Sequence, residues 1–244
     1  MTQTPSPVAL ITGASRGLGL TLAQFLAGQG YRLIITARGG EALTAAAEAL
    51  KQTGSEVVAL PGDVTDPAHR ATLVNAANQF GRLDILVNNA SLLGPLAELS
   101  DFSLNAIEQV FAVNVFAPLA LAQAALPLLK ANGGLVINVS SDAAVGGYPE
   151  WGGYGSSKAA LDLLSRTLAN ELGDTGVAVV AVDPGDMQTE MGREAFGDED
   201  NAERPLPEET LPFWAWLLGQ ERRAVSGGRY QAQAEQWEAN HETV

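Results

Sequence analysis

Short runs of nearly continuous apolar residues alternate along the chain with longer stretches whose apolar positions recur every three or four residues. The runs cover residues 8–12, 32–37, 56–60, 83–88, 135–140 and 177–182. Each has the length of a strand and is rich in Val, Ile and Leu, which suits strands buried on both faces. Between them, Leu18, Leu22, Phe25 and Leu26, and later Leu161, Leu164, Leu168 and Leu172, repeat at helical spacing. This alternation predicts an α/β fold. It is a single doubly wound parallel sheet with helices on both faces, built as one domain over residues 1–244. Right-handed crossovers then gather the loops that follow the strands along one edge, where such sheets bind ligands.

The pattern breaks at 189–212, a stretch rich in Gly, Pro and acidic residues around Asp198, Glu199 and Asp200. A long irregular insert of this kind predicts a lid or a loose loop. Beyond it, 211–218 predicts a short helix, 228–232 a last strand, and the residues after Gln233 a polar tail with some helical character. Residues 1–7 are polar and read as a flexible start without a signal peptide. No apolar stretch reads as long enough to span a bilayer, so the cytoplasm is the expected location.

Charge and composition narrow the chemistry. With 28 acidic and 14 basic residues, the net charge of −14 argues against nucleic acid or an anionic membrane as partner. An anionic cofactor stays open, because salt screens distant charge beyond about 8 Å and a few local arginines can dominate a phosphate site. Cysteine is absent, which excludes disulfides, thiol nucleophiles and thiolate-bound zinc. His69 and His241 are the only histidines, too few for a histidine-built metal cluster; no metal is expected.

Directly after the first strand comes Thr12-Gly13-Ala14-Ser15-Arg16-Gly17-Leu18-Gly19, running into a helix. Glycines allow a sharp turn close to a pyrophosphate, and a helix N-terminus offers unpaired N–H groups and a positive dipole end. At the first strand–helix junction of an alternating chain, this segment (Gly13, Ser15, Arg16, Gly17, Leu18, Gly19) predicts a dinucleotide cradle. The second strand ends at Arg38 rather than at a carboxylate that would accept from a ribose 2′-hydroxyl. Arg16 and Arg38 together suit a 2′-phosphate, so NADP(H) is expected over NAD(H).

Tyr154 is followed four residues later by Lys158, and Ser141 lies thirteen positions upstream. One helical turn places the phenol and the ammonium on the same face. A cation about 6 Å from the phenol, at an effective dielectric of ~20, favours the phenolate by roughly 2.8 kcal/mol, about 2 pKa units. The pair therefore predicts a tyrosine brought down toward the range of a useful acid or base. Taken alone, such a pair also fits an ordinary helix. Ser140 competes with Ser141 as the hydroxyl beside it, and the spacing to Tyr154 favours Ser141.

These motifs, with Asp63-Val64, Asn88-Asn89-Ala90, Asn114 and Pro184-Gly185, resemble the short-chain dehydrogenase/reductase family from about Val8 to Thr189. The resemblance implies a Rossmann-like fold and a catalytic tetrad of Asn114, Ser141, Tyr154 and Lys158. It also implies that Asp63 and Val64 meet the adenine, and that Asn88 and Ala90 flank its ribose. Pro184, Met187 and Thr189 would hold the nicotinamide carboxamide, with Tyr154 and Lys158 against its ribose. A homodimer or homotetramer packed through the helices around Asn114 and Tyr154 is implied as well. Three departures stand out: Ser91 in place of glycine, Asp183 in place of asparagine, and an unusual C-terminus from Ser226.

The expected reaction is hydride transfer between NADPH and a small carbonyl or alcohol, with Tyr154 as general acid/base and Ser141 holding the substrate oxygen. A nucleotide-binding sensor with little turnover is the alternative; epimerase or dehydratase chemistry is disfavoured by Arg16 and Arg38. Leu92, Leu93, Gly146, Tyr148, Trp151, Met191, Phe196, Phe213 and Trp214 are the candidate substrate-pocket residues, and their character suggests an apolar or aromatic carbonyl compound.

Overall fold

The computed structural model describes residues 6–238; residues 1–5 and His241 lie outside the described residues. Seven strands form one parallel sheet in the order β3-β2-β1-β4-β5-β6-β7. They are β1 (Val8–Thr12), β2 (Arg32–Ala37), β3 (Val57–Pro61), β4 (Ile85–Asn88), β5 (Leu135–Val139), β6 (Ala178–Asp183) and β7 (Arg229–Gln231). The strand order reverses between β1 and β4, which opens a crevice at the C-terminal ends of those two strands.

The continuous apolar runs exist because the sheet is covered on both sides. In β1, Ile11 packs with Ile35, Val87 and the α1 (Gly17–Gly28) residues Leu18, Leu22 and Leu26. Its neighbour Leu10 faces the other way, onto Ile34, Leu86, and Leu73 of α3 (Pro67–Phe80). Burying each such Leu or Ile contributes about 1.5–3 kcal/mol. The strand ends differ from the sequence expectation by a residue or two. β4 begins at Ile85, directly after Asp84, whose carboxylate accepts from Val8 N and Arg82.

Local signals define the helices. α3 starts with the Asp66 carboxylate accepting from Ala68 N and with Pro67 in its first turn, and it stops at Gly81 with φ +74°. The remaining long helices are α2 (Gly40–Lys51), α4 (Leu104–Phe111), α5 (Ala117–Asn132) and α6 (Gly152–Leu172). A π-helical turn, Ala112–Phe116, joins α4 to α5 and carries Asn114.

Three expectations need correction. The insert at 189–212 is not irregular: it forms α7 (Glu190–Phe196), α8 (Asp198–Ala202) and a 3-10 turn, Pro207–Thr210. Its Gly, Pro and acidic residues are helix-end residues. Thr189 Oγ1 caps α7 by accepting from Gly192 N at 3.0 Å, and Asp198, Glu199 and Asp200 occupy the favourable first turn of α8. The Arg204 guanidinium lies 3.7 Å over the Phe196 ring and pins the segment back on itself.

Phe213 and Trp214, in α9 (Leu211–Gly219), do not line a pocket. They are fully buried in an aromatic cluster with Trp216, Tyr230 and Trp237 beside the sheet. Periodicity cannot distinguish an aromatic that packs inward from one that lines a cavity. Downstream, α10 (Arg222–Val225) precedes β7, and the described tail beyond Gln233 forms turns rather than a helix.

The third correction concerns length. Residues Leu104–Asn132 run as one 29-residue helical stretch whose most apolar window has mean hydropathy 1.7, long and apolar enough to cross a membrane by length and composition. Glu108, Gln109 and Asn114 interrupt it in the sequence and hide this. In the fold, its Leu121, Ala122, Ala125 and Leu129 are buried with Leu10 and Val136 against the sheet.

Candidate active site

Where β1 meets the crevice, the chain turns at Gly13 with φ +66° and again at Gly17 with φ +53°. A side chain at Gly13 would bring Cβ to 2.8 Å from Asn89 Nδ2, and one at Gly19 would meet Gly13 O at 2.3 Å. Close approach therefore requires glycine at both positions, and at Gly13 the backbone angle requires it as well. Asn89 Nδ2 donates to Thr12 O at 2.9 Å and Gly13 O at 3.2 Å. Thr12 Oγ1 accepts from Asn89 N and Ala90 N, which ties the end of β1 to the loop after β4. The turn is thus held from the side, leaving its outer surface facing the crevice.

A cavity of about 900 Å³ follows this edge. Gly13, Ser15, Arg16, Gly17, Leu18, Arg38, Asp63, Val64 and Ala90 line one part of it, and Ser141, Tyr154, Lys158, Pro184, Met187 and Thr189 line the other. Gly19 and Asn88 lie outside the lining. Gly19 serves the packing of α1 on β1, and Asn88 Nδ2 donates to Asn138 Oδ1 at 2.8 Å between β4 and β5. Asn138 Nδ2 in turn donates to Ser165 Oγ on α6.

The first turn of α1 opens on this cavity, and its N-cap residue Arg16 provides no side-chain cap. Its leading N–H groups are the donors a pyrophosphate would take. Asp63 Oδ1 accepts from Thr65 N and Thr65 Oγ1; the backbone bond does most to hold its carboxyl below the usual range, so it stands ionised at the mouth. Arg16 lies 3.8 Å from Glu190 on α7, a loose and exposed contact. Cavity size, uncapped donors and the two arginines all fit a dinucleotide phosphate.

At the other end, α6 brings Tyr154 and Lys158 to the cavity wall, both buried. Lys158 Nζ sits 5.5 Å from the Tyr154 ring centroid and donates to Val139 O at 2.7 Å. Burial pushes the Tyr154 phenol up to about 12; the Asp183 and Asp142 carboxylates add to the rise, while hydrogen bonding from Ser141 and Ser91 opposes it. Burial likewise brings the Lys158 amine down to about 8, against the pull of Asp162. The expected lowering of Tyr154 is thus overturned. At this depth, the phenolate loses more by leaving water than a neighbouring ammonium returns.

Asn114 is completely buried and fully bonded. Its Oδ1 accepts from Leu92 N at 2.8 Å and Ser91 Oγ at 3.1 Å; its Nδ2 donates to Leu92 O and Ser157 Oγ. These bonds tie the loop after β4 to α6. Ser141 Oγ accepts from Ala143 N and donates to Asp142 Oδ1 at 3.1 Å.

A profile of the short chain dehydrogenase family matches residues 7–200. The chain belongs to the short-chain dehydrogenase family.

Its relatives in that family include an oxidoreductase of Thermotoga maritima, 38% identical over 215 residues, spanning 88% of this chain and 85% of its own length. A 3-oxoacyl-[acyl-carrier-protein] reductase of rhamnolipid biosynthesis in Pseudomonas aeruginosa is 35% identical, spanning 90% of this chain and 87% of its own. A short chain dehydrogenase structure from Shigella flexneri, complexed with NADP, superposes with a TM-score of 0.87 at 30% identity, over 93% of this chain and 97% of that one.

Two further residues support this short-chain dehydrogenase site. Arg229 of β7 donates to Ser141 O and to Asp162 Oδ2, both at 2.8 Å, and so props the serine from behind. Nothing local in the sequence marks it, since its partners lie 67 and 88 residues away. Ser157, which donates to Tyr154 O at 2.6 Å, did carry a signal: it is a polar residue on the buried face of α6. Of the substrate-pocket candidates, Leu92, Leu93, Tyr148, Trp151, Met191 and Phe196 line the cavity. Gly146 does not; a Cβ there would strike the Tyr148 ring.

Proposed function

We propose that the chain is an NADP(H)-dependent oxidoreductase that interconverts a carbonyl compound and its alcohol, with Tyr154 as the proton carrier. The observation that carries this reading is the placement of Tyr154, Lys158 and Ser141 in the same cavity wall, continuous with the glycine turn and its uncapped helix. NADPH, when bound, supplies the hydride. The chain's own residues do the remaining work.

Arg16 and Arg38 hold the 2′-phosphate, the α1 N-terminus the pyrophosphate, and Asp63 and Val64 the adenine end. Gly13, Ser15, Gly17, Leu18 and Ala90 shape the floor; Pro184, Met187 and Thr189 hold the carboxamide. Ser141 turns its hydroxyl from Asp142 toward the substrate oxygen and fixes it. Tyr154 gives its proton to that oxygen. Lys158 keeps the phenol oriented through its anchor on β5 and exchanges protons near neutrality. Asn114 holds the loop at Ser91 and Leu92 against α6.

The substrate end is walled by Trp151, edge-on to Tyr154 at 6.0 Å and 5.7 Å from Phe196, together with Leu93 and Met191. This wall favours a flat apolar or aromatic carbonyl compound and keeps bulk water from the reacting oxygen. The NADP in the Shigella flexneri structure and the reductase name of the Pseudomonas aeruginosa relative support the same reading. Exposed Leu104, Phe116 and Leu163, on α4, the π turn and α6, support a homodimer or homotetramer through those helices.

The test is net NADPH consumption with a panel of ketones, aldehydes and quinones, run in parallel with NADH. Stoichiometric oxidation of NADPH by one class is expected. Cofactor binding without turnover on any of them would favour a nucleotide sensor.

A further inference from the structure

Asp142 directly follows Ser141, opens the short 3-10 turn Asp142–Ala144, and lines the cavity with Ser141 and Tyr148. Its carboxylate takes two hydroxyl donors. Ser141 Oγ donates to Oδ1 at 3.1 Å, and Tyr148 Oη donates to Oδ2 at 2.8 Å. A carboxylate only accepts, whereas a serine hydroxyl has a single proton to give. Ser141 must therefore take that proton from Asp142 in order to hold a substrate oxygen. Asp142 Oδ1 then loses a donor, and a hydrogen bond to a charged group is a costly one to leave unmade.

A substrate can return that donor. Oδ1 lies one hydrogen bond from Ser141 Oγ, and Ser141 Oγ lies one hydrogen bond from the substrate oxygen. A hydroxyl on the carbon next to the carbonyl sits at a similar short separation from the carbonyl oxygen. The four oxygens then close a ring with sides of roughly 3 Å. Tyr148 keeps the other carboxylate oxygen, its ring lodged against Gly146, where a Cβ would come within 2.6 Å of it. The carboxylate thus stays oriented while Ser141 turns. A substrate carboxylate or phosphate at the same place would meet Asp142 and Asp186 in the wall and be repelled.

We propose that the site is built for α-hydroxy ketones with an apolar or aromatic remainder, and that Asp142 determines this specificity by accepting the substrate hydroxyl as Ser141 turns away. The inference rests on Ser141 holding the substrate oxygen. In the reducing direction, hydride from NADPH joins the carbonyl carbon and the Tyr154 proton joins its oxygen, giving a 1,2-diol. The substrate's own hydroxyl keeps its proton throughout.

The test is calorimetric binding of α-hydroxyacetophenone and propiophenone, which differ by a hydroxyl against a methyl group, to the full chain saturated with NADP⁺. The oxidised cofactor has no hydride to give the carbonyl, so the readout needs no turnover. Wild type is expected to bind the hydroxy ketone about tenfold or more tightly than its methyl counterpart, on the scale of a hydrogen bond to a charged group. Asp142→Ala is expected to remove that preference, Asp142→Asn to weaken it, and Tyr148→Phe to keep it. Equal affinities in wild type, or no binding of the hydroxy ketone, overturn the proposal. A preference that survives in Asp142→Ala, or that vanishes in Tyr148→Phe, also overturns it. A preference that follows Asp142 without any NADPH oxidation in turnover assays would strike the proposed reaction and leave the specificity of Asp142 standing.

Discussion

Lys158 and Val139 are joined by a 2.7 Å hydrogen bond from Nζ to the last carbonyl of β5. A carbonyl dipole is the partner here, not a carboxylate, so the ammonium is buried without a bonded counter-ion. Its proton is correspondingly loose. The same burial holds the Tyr154 proton tightly, and the two side chains sit one helical turn apart on α6.

This arrangement has a pH signature. Between about 8 and its unfolded value of 10.5, Lys158 carries its proton more fully in the unfolded chain, so its contribution to stability rises with pH across that window. The penalty is complete below about 8 and gone above 10.5. Tyr154 acts in the opposite sense, because the folded phenol keeps its proton from 10 to about 12 and stability falls as pH rises there. Denaturant unfolding of wild type and Lys158→Met from pH 7 to 10 should show the wild type gaining relative to the variant, by up to ~3 kcal/mol. A pH-independent difference would contradict the depressed amine.

The amide of Asn89 is the brace of the glycine turn, through its bonds to Thr12 O and Gly13 O. Asn89→Ala removes both and leaves two carbonyls short of a donor. We expect a stability loss of about 1–3 kcal/mol and roughly tenfold weaker NADPH binding by calorimetry. Unchanged binding would mean the turn holds its shape without the brace.

Arg38 lines the cofactor end of the cavity beside Asp63. Replacing it with alanine should weaken NADPH binding about ten- to a hundredfold, on the scale of a lost charge-assisted phosphate contact of 1.5–3 kcal/mol. NADH binding should change little. Parallel loss of both cofactors would assign Arg38 to the shape of the loop instead.

Trp214 tests the reassignment of the aromatic residues. It is buried, stacks edge-on with Phe213 and donates from Nε1 to Thr210 Oγ1 at 2.9 Å. Trp214→Ala should cost about 3–5 kcal/mol in unfolding free energy and leave the order of preference among carbonyl substrates unchanged. A reordered preference at intact stability would return it to the pocket.

The strands were legible because each β run is apolar on both faces, as Leu10 and Ile11 show by packing to opposite sides of one sheet. Tyr154, Lys158, Ser141 and the glycine turn were marked by their spacing taken together with the family resemblance, and the fold places them on one cavity. What stayed hidden depends on burial and on distance along the chain. The rise of the Tyr154 phenol follows from desolvation, which spacing does not reveal. Arg229 reaches Ser141 from the far end of the sequence, and Asn88 turned inward where its neighbour Asn89 turned to the glycines. In 189–212, Gly and Pro read as loop because short helices are made mostly of ends.

The central claim is that Tyr154 carries the proton. Single-turnover oxidation of NADPH by whichever carbonyl proves active, compared between wild type and Tyr154→Phe, with the NADPH dissociation constant measured alongside, tests it most directly. The account expects the variant to bind NADPH within about threefold of wild type and to lose at least a thousandfold in the hydride-transfer rate, on the scale of general-acid contributions of 10²–10⁴. A variant that binds and turns over like wild type would contradict it.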